Sequence, residues 1–303
     1  MAAGTSQGET TPRNRSSVPN ILSIAGTDPT GGAGIHADLK SFAAHRGYGM
    51  AVVTALVAQN TQGVRQIHVP EADFLRAQLD AVAEDVKINA VKVGMLGTAE
   101  TIRTVSAWWE ELCARGDSSG GDVVAYGLRP TLVIDPVMVA TSGDRLLEED
   151  AEEALRDFLG RADLVTPNVS ELALLAHAEP AESDEDLLAQ ARTVADAFDV
   201  LVLAKGGHLS GEEVRDALVH PAREDGQREP ETEFTGRRID TQNTHGTGCS
   251  VSAALATLRA HGLSWEEAVG EAKSWMGEAL EGSAQLDVGE GHGPIHHFVR
   301  LWR

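Results

Sequence analysis

The chain has 303 residues, 42% of them hydrophobic, with 25 basic against 46 acidic side chains and a formal net charge of −21. That charge repels nucleic-acid phosphates and anionic membrane surfaces, which leaves a small molecule or a second copy of the chain as the expected partner. Two cysteines, Cys113 and Cys249, are too few for a disulfide framework or a cysteine-rich zinc site, no apolar run is long enough for a membrane span, and a reducing cytoplasm is the expected compartment.

Residues 1–19 are polar, include Arg13 and Arg15, and lack the apolar core of a signal peptide, so a disordered tail is expected there. ILSIAG (21–26) then reads as a buried strand, followed by the glycine-rich loop TDPTGGAG and a helix opening near Ile35. MAVVTALVA (50–58) is apolar and β-branched and predicts a central strand. Leu75, Leu79, Val82 and Val86 recur at helical spacing over 72–86. AVKV (90–93) is the next strand and 99–114 the next helix, while the Gly/Ser-rich stretch 115–129 reads as a surface excursion. TLVID (131–135) is a strand that Pro136 ends, which puts Asp135 at its carboxyl end. Strands and helices alternate through LVTPNVSELALLA, a helix around 187–198 and VLVLAKGGH; antiparallel strands are expected within 212–240, and two helices, about 246–261 and 264–281, close the chain. This alternation predicts an α/β fold.

Each motif has a plain structural reading and a chemical one. Gly32, Gly34 and Ala37 fit a loose dinucleotide fingerprint, but no acid lies between Asp38 and Glu71 to hold a ribose, which argues against a nicotinamide site. No lysine follows a glycine, so there is no Walker loop. Asn168 and Glu171 have the spacing of a helix capping box, or Glu171 anchors magnesium-bound water. Asp135 either ends a strand or joins that magnesium site, and Lys205 in AKGGH either reaches a phosphate or is solvated. His208, His292, His296 and His297 form no recognisable metal-ligand spacing. In NTHGTGCS (243–250), a glycine turn opens an alanine-rich helix, so the amides of Gly246, Thr247 and Gly248 can stabilise an anion beside Cys249, which is otherwise a small buried hydrophobe. Together, a strand-end acid, N-x-x-E, a strand-end lysine and a glycine turn at a helix start suit phosphoryl transfer from a magnesium nucleotide.

The motifs AGTDPTGGAGIHADLKSF (25–42), VTALVAQNTQGV (53–64), KVGMLG (92–97), IDPVMVATSGDRLL (134–147), LVTPNVSE (164–171), KGGH (205–208), NTHGTGC (243–249) and EAKSW (271–275) jointly resemble the hydroxymethylpyrimidine/phosphomethylpyrimidine kinases of thiamine biosynthesis, within the ribokinase-like superfamily. The resemblance runs from about Asn20 to the C-terminus. It implies one ribokinase-like domain over 20–303, with a mainly parallel central sheet and helices on both faces, that uses ATP and Mg²⁺ to phosphorylate 4-amino-5-hydroxymethyl-2-methylpyrimidine and then its monophosphate. Carried over by motif, Asp38 and Gln59 would hydrogen-bond the aminopyrimidine, and Gly26, Met95 and Val137 would line its pocket. Asp135 and Glu171 would hold magnesium waters, and Asn168 and Lys205 would lie near the ATP phosphates. Cys249 would face the acceptor hydroxyl, as base or as positioning group, with its thiol pKa expected to fall at the helix N-terminus. A homodimer is expected as well.

The sequence departs from the family's pattern in its longer loops at 116–129 and 221–233 and in His36, where a glutamine is expected. A pyridoxine or pyridoxal kinase and a non-catalytic ligand sensor are the rival readings. Gln59 and Cys249 favour the pyrimidine, and the intact set Asp135, Glu171 and Lys205 favours catalysis.

Overall fold

The computed structural model describes residues 18–116, 129–138, 147 and 150–302. Residues 117–128 of the expected excursion at 115–129, the tail up to Ser17 and most of 139–149 lie outside the described residues.

In chain order the elements are β1 (Asn20–Ala25), α1 (Gly34–Ala44), β2 (Tyr48–Val53), β3 (Leu56–Asn60), β4 (Gly63–His68), α2 (Ala72–Asp85), β5 (Ala90–Val93), α3 (Ala99–Gly116), β6 (Thr131–Ile134), α4 (Ala151–Leu159), β7 (Leu164–Val165), α5 (Val169–Ala176), α6 (Asp184–Phe198), β8 (Val202–Lys205), β9 (Glu213–Val219), β10 (Thr232–Arg237), α7 (Thr247–Ala260) and α8 (Trp265–Glu281). Eight strands form one sheet in the order β10-β9-β8-β7-β6-β5-β1-β2, parallel from β2 to β8 and antiparallel at β9 and β10. This is the α/β architecture with a mainly parallel sheet that the alternation of elements predicts.

The strands read as continuous apolar runs because both faces are covered. Successive side chains alternate between two cores: Leu22, Ile24, Val91, Val93, Leu132 and Ile134 pack against α2 to α6, whereas Ile21, Ala90, Val133, Leu164 and Leu203 pack against α1, α7 and α8. Helix α7 lies beneath β5 and β6 and is buried on most sides, which explains its alanines: small side chains let it approach the sheet closely. At its start it points its N-terminus at the carboxyl ends of those strands.

One expectation fails instructively. MAVVTALVA is neither one strand nor central: β2 stands at the edge of the sheet, and the chain leaves it at Thr54 to form the separate β3–β4 hairpin. Thr54 donates its N–H to the Ala25 carbonyl and its hydroxyl to the Met95 carbonyl, and Thr27 donates to the Ala55 carbonyl, so the exit is fixed by three bonds to neighbouring strand ends. The apolar run reports something else. Phe42 and Leu39 of α1 pack on one face of β2, at Gly49, while Gln78 of α2 reaches Val53 from the other, so the edge strand is sandwiched between helices. Strand β4 (GVRQIH) is largely exposed and carries no burial pattern that a sequence could reveal.

Candidate active site

In a doubly wound sheet, ligands bind at the carboxyl ends of the strands where the order reverses. Here β1 leads outward to β2 and the chain then returns to β5 on the other side of β1, so the reversal falls at β1 and β5. A cavity of about 1200 Å³ opens at that end. Its wall includes Gly26 after β1, Gln59 on the hairpin, Met95 after β5, and Asp135 and Val137 after β6. It continues over Asn168 and Glu171 at the start of α5, Lys205 at the end of β8, and Gly246, Thr247, Gly248 and Cys249 at the start of α7.

Asp135 is buried and accepts hydrogen bonds from the Thr166 hydroxyl at 2.8 Å and from Lys205 Nζ at 3.0 Å. Burial alone would raise its pKa, but the ammonium groups of Lys205 and Lys92 outweigh this and hold the carboxyl below its ordinary value. Asn168 and Glu171 form both bonds of a capping box: the Asn168 side chain accepts from the Glu171 N–H at 3.0 Å, and the Glu171 carboxylate accepts from the Asn168 N–H at 2.9 Å. The plain reading of that motif is therefore realised. It does not exhaust the residue, because Glu171 is also buried on the cavity wall beside Lys205 and Asp135. Burial pushes its carboxyl up to about 7; Lys205 opposes the rise and Asp135 adds to it.

The start of α7 has no side-chain cap and no acidic residue in its first turn. Gly246 adopts φ +79°, and a Cβ there would stand 1.7 Å from the Gly32 carbonyl oxygen, so only glycine fits. A Cβ on Gly248 would lie 3.2 Å from Lys205 Nζ, which shows how closely the helix N-terminus approaches the lysine. An anion at this point would meet backbone N–H groups, the helix dipole and an ammonium together.

Two of the expected site residues stand in unexpected surroundings. Asp38 is fully buried behind the cavity wall, where Lys92 Nζ donates to both carboxylate oxygens at 2.9 Å and the Ser23 hydroxyl donates at 2.6 Å. Its acceptor capacity toward these donors is already used from within the fold. The Cys249 thiol is not lowered by its helix; burial pushes it up to about 11, against the opposing pull of Lys92. His36 is turned away as well, with Nδ1 accepting from the Asp28 N–H at 3.1 Å. Among the described residues no group of three or more histidine, cysteine, aspartate or glutamate side chains comes together, and His297 meets the Ser250 hydroxyl at 2.9 Å.

Several residues escaped the sequence reading. Lys92 sits fully buried in AVKV, and a lone lysine in so apolar a strand demands a buried counter-charge, a signal that was present in the sequence. Asp28 and His245, joined at 2.8 Å, stand inside quoted motifs but are 217 positions apart, so their pairing was invisible. Asp216 accepts from the Gly206 N–H and from Lys273, and Val214, Phe234 and Met276 extend the cavity beneath β9, β10 and α8.

Residues 28–296 match the phosphomethylpyrimidine kinase family. The hydroxymethylpyrimidine/phosphomethylpyrimidine kinase of Escherichia coli is 44% identical over 284 residues, covering 93% of this chain and 98% of that protein. The thiamine biosynthesis multifunctional protein ThiED of Corynebacterium glutamicum is 49% identical over 284 residues, covering 94% of this chain but 34% of that protein. The chain thus spans about a third of the length of such multifunctional relatives. Among solved structures, an ADP complex of Bacillus subtilis pyridoxal kinase superposes with a TM-score of 0.79 at 30% identity, covering 95% of this chain and all of that one. The phosphomethylpyrimidine kinase of Clostridium difficile superposes with a TM-score of 0.70 at 32% identity, covering 86% of this chain and 99% of that one.

Proposed function

The chain belongs to the phosphomethylpyrimidine kinase family, and we propose that it transfers the γ-phosphoryl group of ATP to 4-amino-5-hydroxymethyl-2-methylpyrimidine and then to the monophosphate, a cytoplasmic step of thiamine biosynthesis. The observation that carries the reading is that one cavity joins two half-sites: Gln59, Met95 and Gly26 on one side, and Asp135, Glu171, Lys205 and the uncapped start of α7 on the other. Relatives matched over nearly their whole length are pyrimidine kinases at 44% identity, whereas the pyridoxal kinases among the solved structures reach 30% or less, which favours the pyrimidine over pyridoxine.

The pyrimidine ring lies against Gly26, Met95 and Val137, with the carboxamide of Gln59 facing its amino edge. Its hydroxymethyl group points at Cys249 and the first turn of α7. With a thiol held near 11, Cys249 stays protonated at neutral pH and orients the acceptor hydroxyl rather than removing its proton. A loose phosphoryl-transfer transition state demands little of a base, so positioning and charge stabilisation carry the reaction. Of the expected amides of Gly246, Thr247 and Gly248, the Thr247 N–H donates to the Thr244 carbonyl at 3.3 Å, so the Gly248 amide with its neighbour Cys249 and Lys205 surround the equatorial oxygens of the phosphoryl group; one such preorganised donor contributes roughly 10²–10³ in rate. Asp135 and Glu171 fit a hard divalent cation, since both are carboxylates on the cavity wall, and the rise that burial gives Glu171 is increased by the charge of Asp135. Bound with ATP, Mg²⁺ would neutralise charge on the phosphate oxygens.

Incubating the protein with Mg-ATP and hydroxymethylpyrimidine should yield the monophosphate and the diphosphate by mass spectrometry, and pyridoxine should react more slowly. Absence of any phosphorylated product sinks the reading. The enzyme is further expected to be a homodimer, and light scattering at micromolar concentration that gave the monomer mass would refute this.

A further inference from the structure

The Asp28 carboxylate is fully buried and makes more bonds than a loop needs. Its Oδ1 accepts from the Thr30 N–H at 2.9 Å and the Thr30 hydroxyl at 2.7 Å. Its Oδ2 accepts from the N–H groups of Gly32 at 3.0 Å and Ala33 at 2.8 Å. Those four bonds shape the loop that ends on Gly34, part of the acceptor side of the cavity. One more comes from elsewhere: His245 Nε2, in the residue before the glycine turn, lies 2.8 Å from Oδ2. Burial by itself would raise the Asp28 pKa, yet the polar neighbours His245, Gln59 and Thr30 prevail and hold it well below the carboxylate range.

Sterics reinforce the junction. The two turns touch back to back: Gly246 leaves no room for a Cβ against the Gly32 carbonyl, and a Cβ on Gly32 would meet His245 Cδ2 at 2.4 Å. The other end of His245 is fixed too, its N–H donating to the Gly293 carbonyl at 3.0 Å. Two segments distant in sequence, the 28–34 loop and the turn that opens α7, therefore share one buried anion.

We propose that Asp28 and His245 are positioning residues: their bond holds the acceptor-binding loop at a set distance from the amides at the start of α7, and so sets the approach of the acceptor hydroxyl to the phosphoryl group. The inference rests on the proposed kinase reading, but not on Asp28 or His245 touching a substrate. Small errors in such distances lower turnover more than binding, because ground-state contacts survive a shift that spoils in-line attack.

The test compares His245→Leu, which has no donor, with His245→Gln, which keeps an N–H donor. Turnover of His245→Leu should fall by roughly 10–100-fold with KM for both substrates within about threefold of the wild type, and His245→Gln should recover most of that loss. A turnover within twofold of the wild type, a change confined to KM, or no recovery by His245→Gln overturns the proposal. A second readout needs no activity. In the free protein, hydrogen exchange of peptides covering 28–34 should speed up in His245→Leu and return toward wild type in His245→Gln. Unchanged exchange there would show that the bond is not a clamp. Wild-type protein that makes no product from hydroxymethylpyrimidine would sink the functional reading alone, leaving the exchange comparison to decide the clamp.

Discussion

Lys92 Nζ lies 2.9 Å from both carboxylate oxygens of Asp38, and neither side chain has any exposed surface. The pair bridges β5 and α1 directly behind the cavity wall. Burial would strip Lys92 of its proton, but the charge of Asp38 prevails and raises its pKa. Removing one partner leaves a buried charge without compensation, which costs about 3–5 kcal/mol. Lys92→Met should lose that much in urea denaturation, and Lys92→Met with Asp38→Leu should recover a large part of it. A single variant as stable as the wild type would show that Asp38 finds another partner, and would reopen it as a substrate ligand.

Glu171 separates two roles that its motif superimposes. Glutamine serves at the third position of a capping box, so Glu171→Gln should keep α5 and change stability by no more than about 1 kcal/mol at acidic pH. Turnover should nevertheless fall by on the order of 100-fold if Glu171 and Asp135 hold the proposed cation, since one carboxylate of that pair is gone. Near-normal turnover would make the residue a cap only.

The same carboxyl gives the free protein a pH signature. Its folded pKa of about 7 lies above the ordinary value of 4.5, so between those limits the native state binds more protons than the unfolded state. The stability Glu171 contributes is thus fully present below about pH 4.5 and is lost as pH rises through about 7. Relative to the wild type, Glu171→Gln should gain by at most ~3 kcal/mol between pH 4.5 and 8, measured by denaturation without nucleotide or metal. A constant difference across that range would place the carboxyl at its ordinary pKa.

What the sequence made legible follows from how locally each feature is determined. The amide-presenting start of α7, the capping box at Asn168 and the strand-end positions of Asp135 and Lys205 depend on residues within a few positions of one another, and all lie on the cavity wall. The edge position of β2 does not, because its apolar run records the cover given by α1 and α2 rather than its place in the sheet. Asp38 shows the deeper limit. A carboxylate facing the cavity and one facing a buried ammonium look alike in a motif, and only the register that sets Ser23 beside Lys92 distinguishes them.

Cys249 should behave as a buried thiol despite its helix. With a pKa near 11, its alkylation by iodoacetamide at pH 8 in a Cys113→Ser background should be slower than that of free cysteine by on the order of 100-fold, and should climb steadily above pH 10. A rate plateau near pH 8 would mean that the helix N-terminus, not burial, governs the thiol.

In the proposed reading Gln59 and Cys249 face different parts of the acceptor, so their variants should fail differently. An aminopyrimidine presents a ring-nitrogen acceptor beside an amino donor, and a carboxamide pairs with both. Gln59→Leu leaves the amino edge unmatched, at a cost of about 1–3 kcal/mol, which is roughly one to two decades in kcat/KM. Pyridoxine lacks that edge and should lose much less. Cys249→Ser alters the side that meets the hydroxymethyl group, common to both molecules, and should lower turnover on both. Measuring kcat/KM for the two acceptors in each variant decides the matter. An equal loss on both in Gln59→Leu would mean that the residue does not read the ring. No loss on either in Cys249→Ser would leave the cysteine as a packing residue.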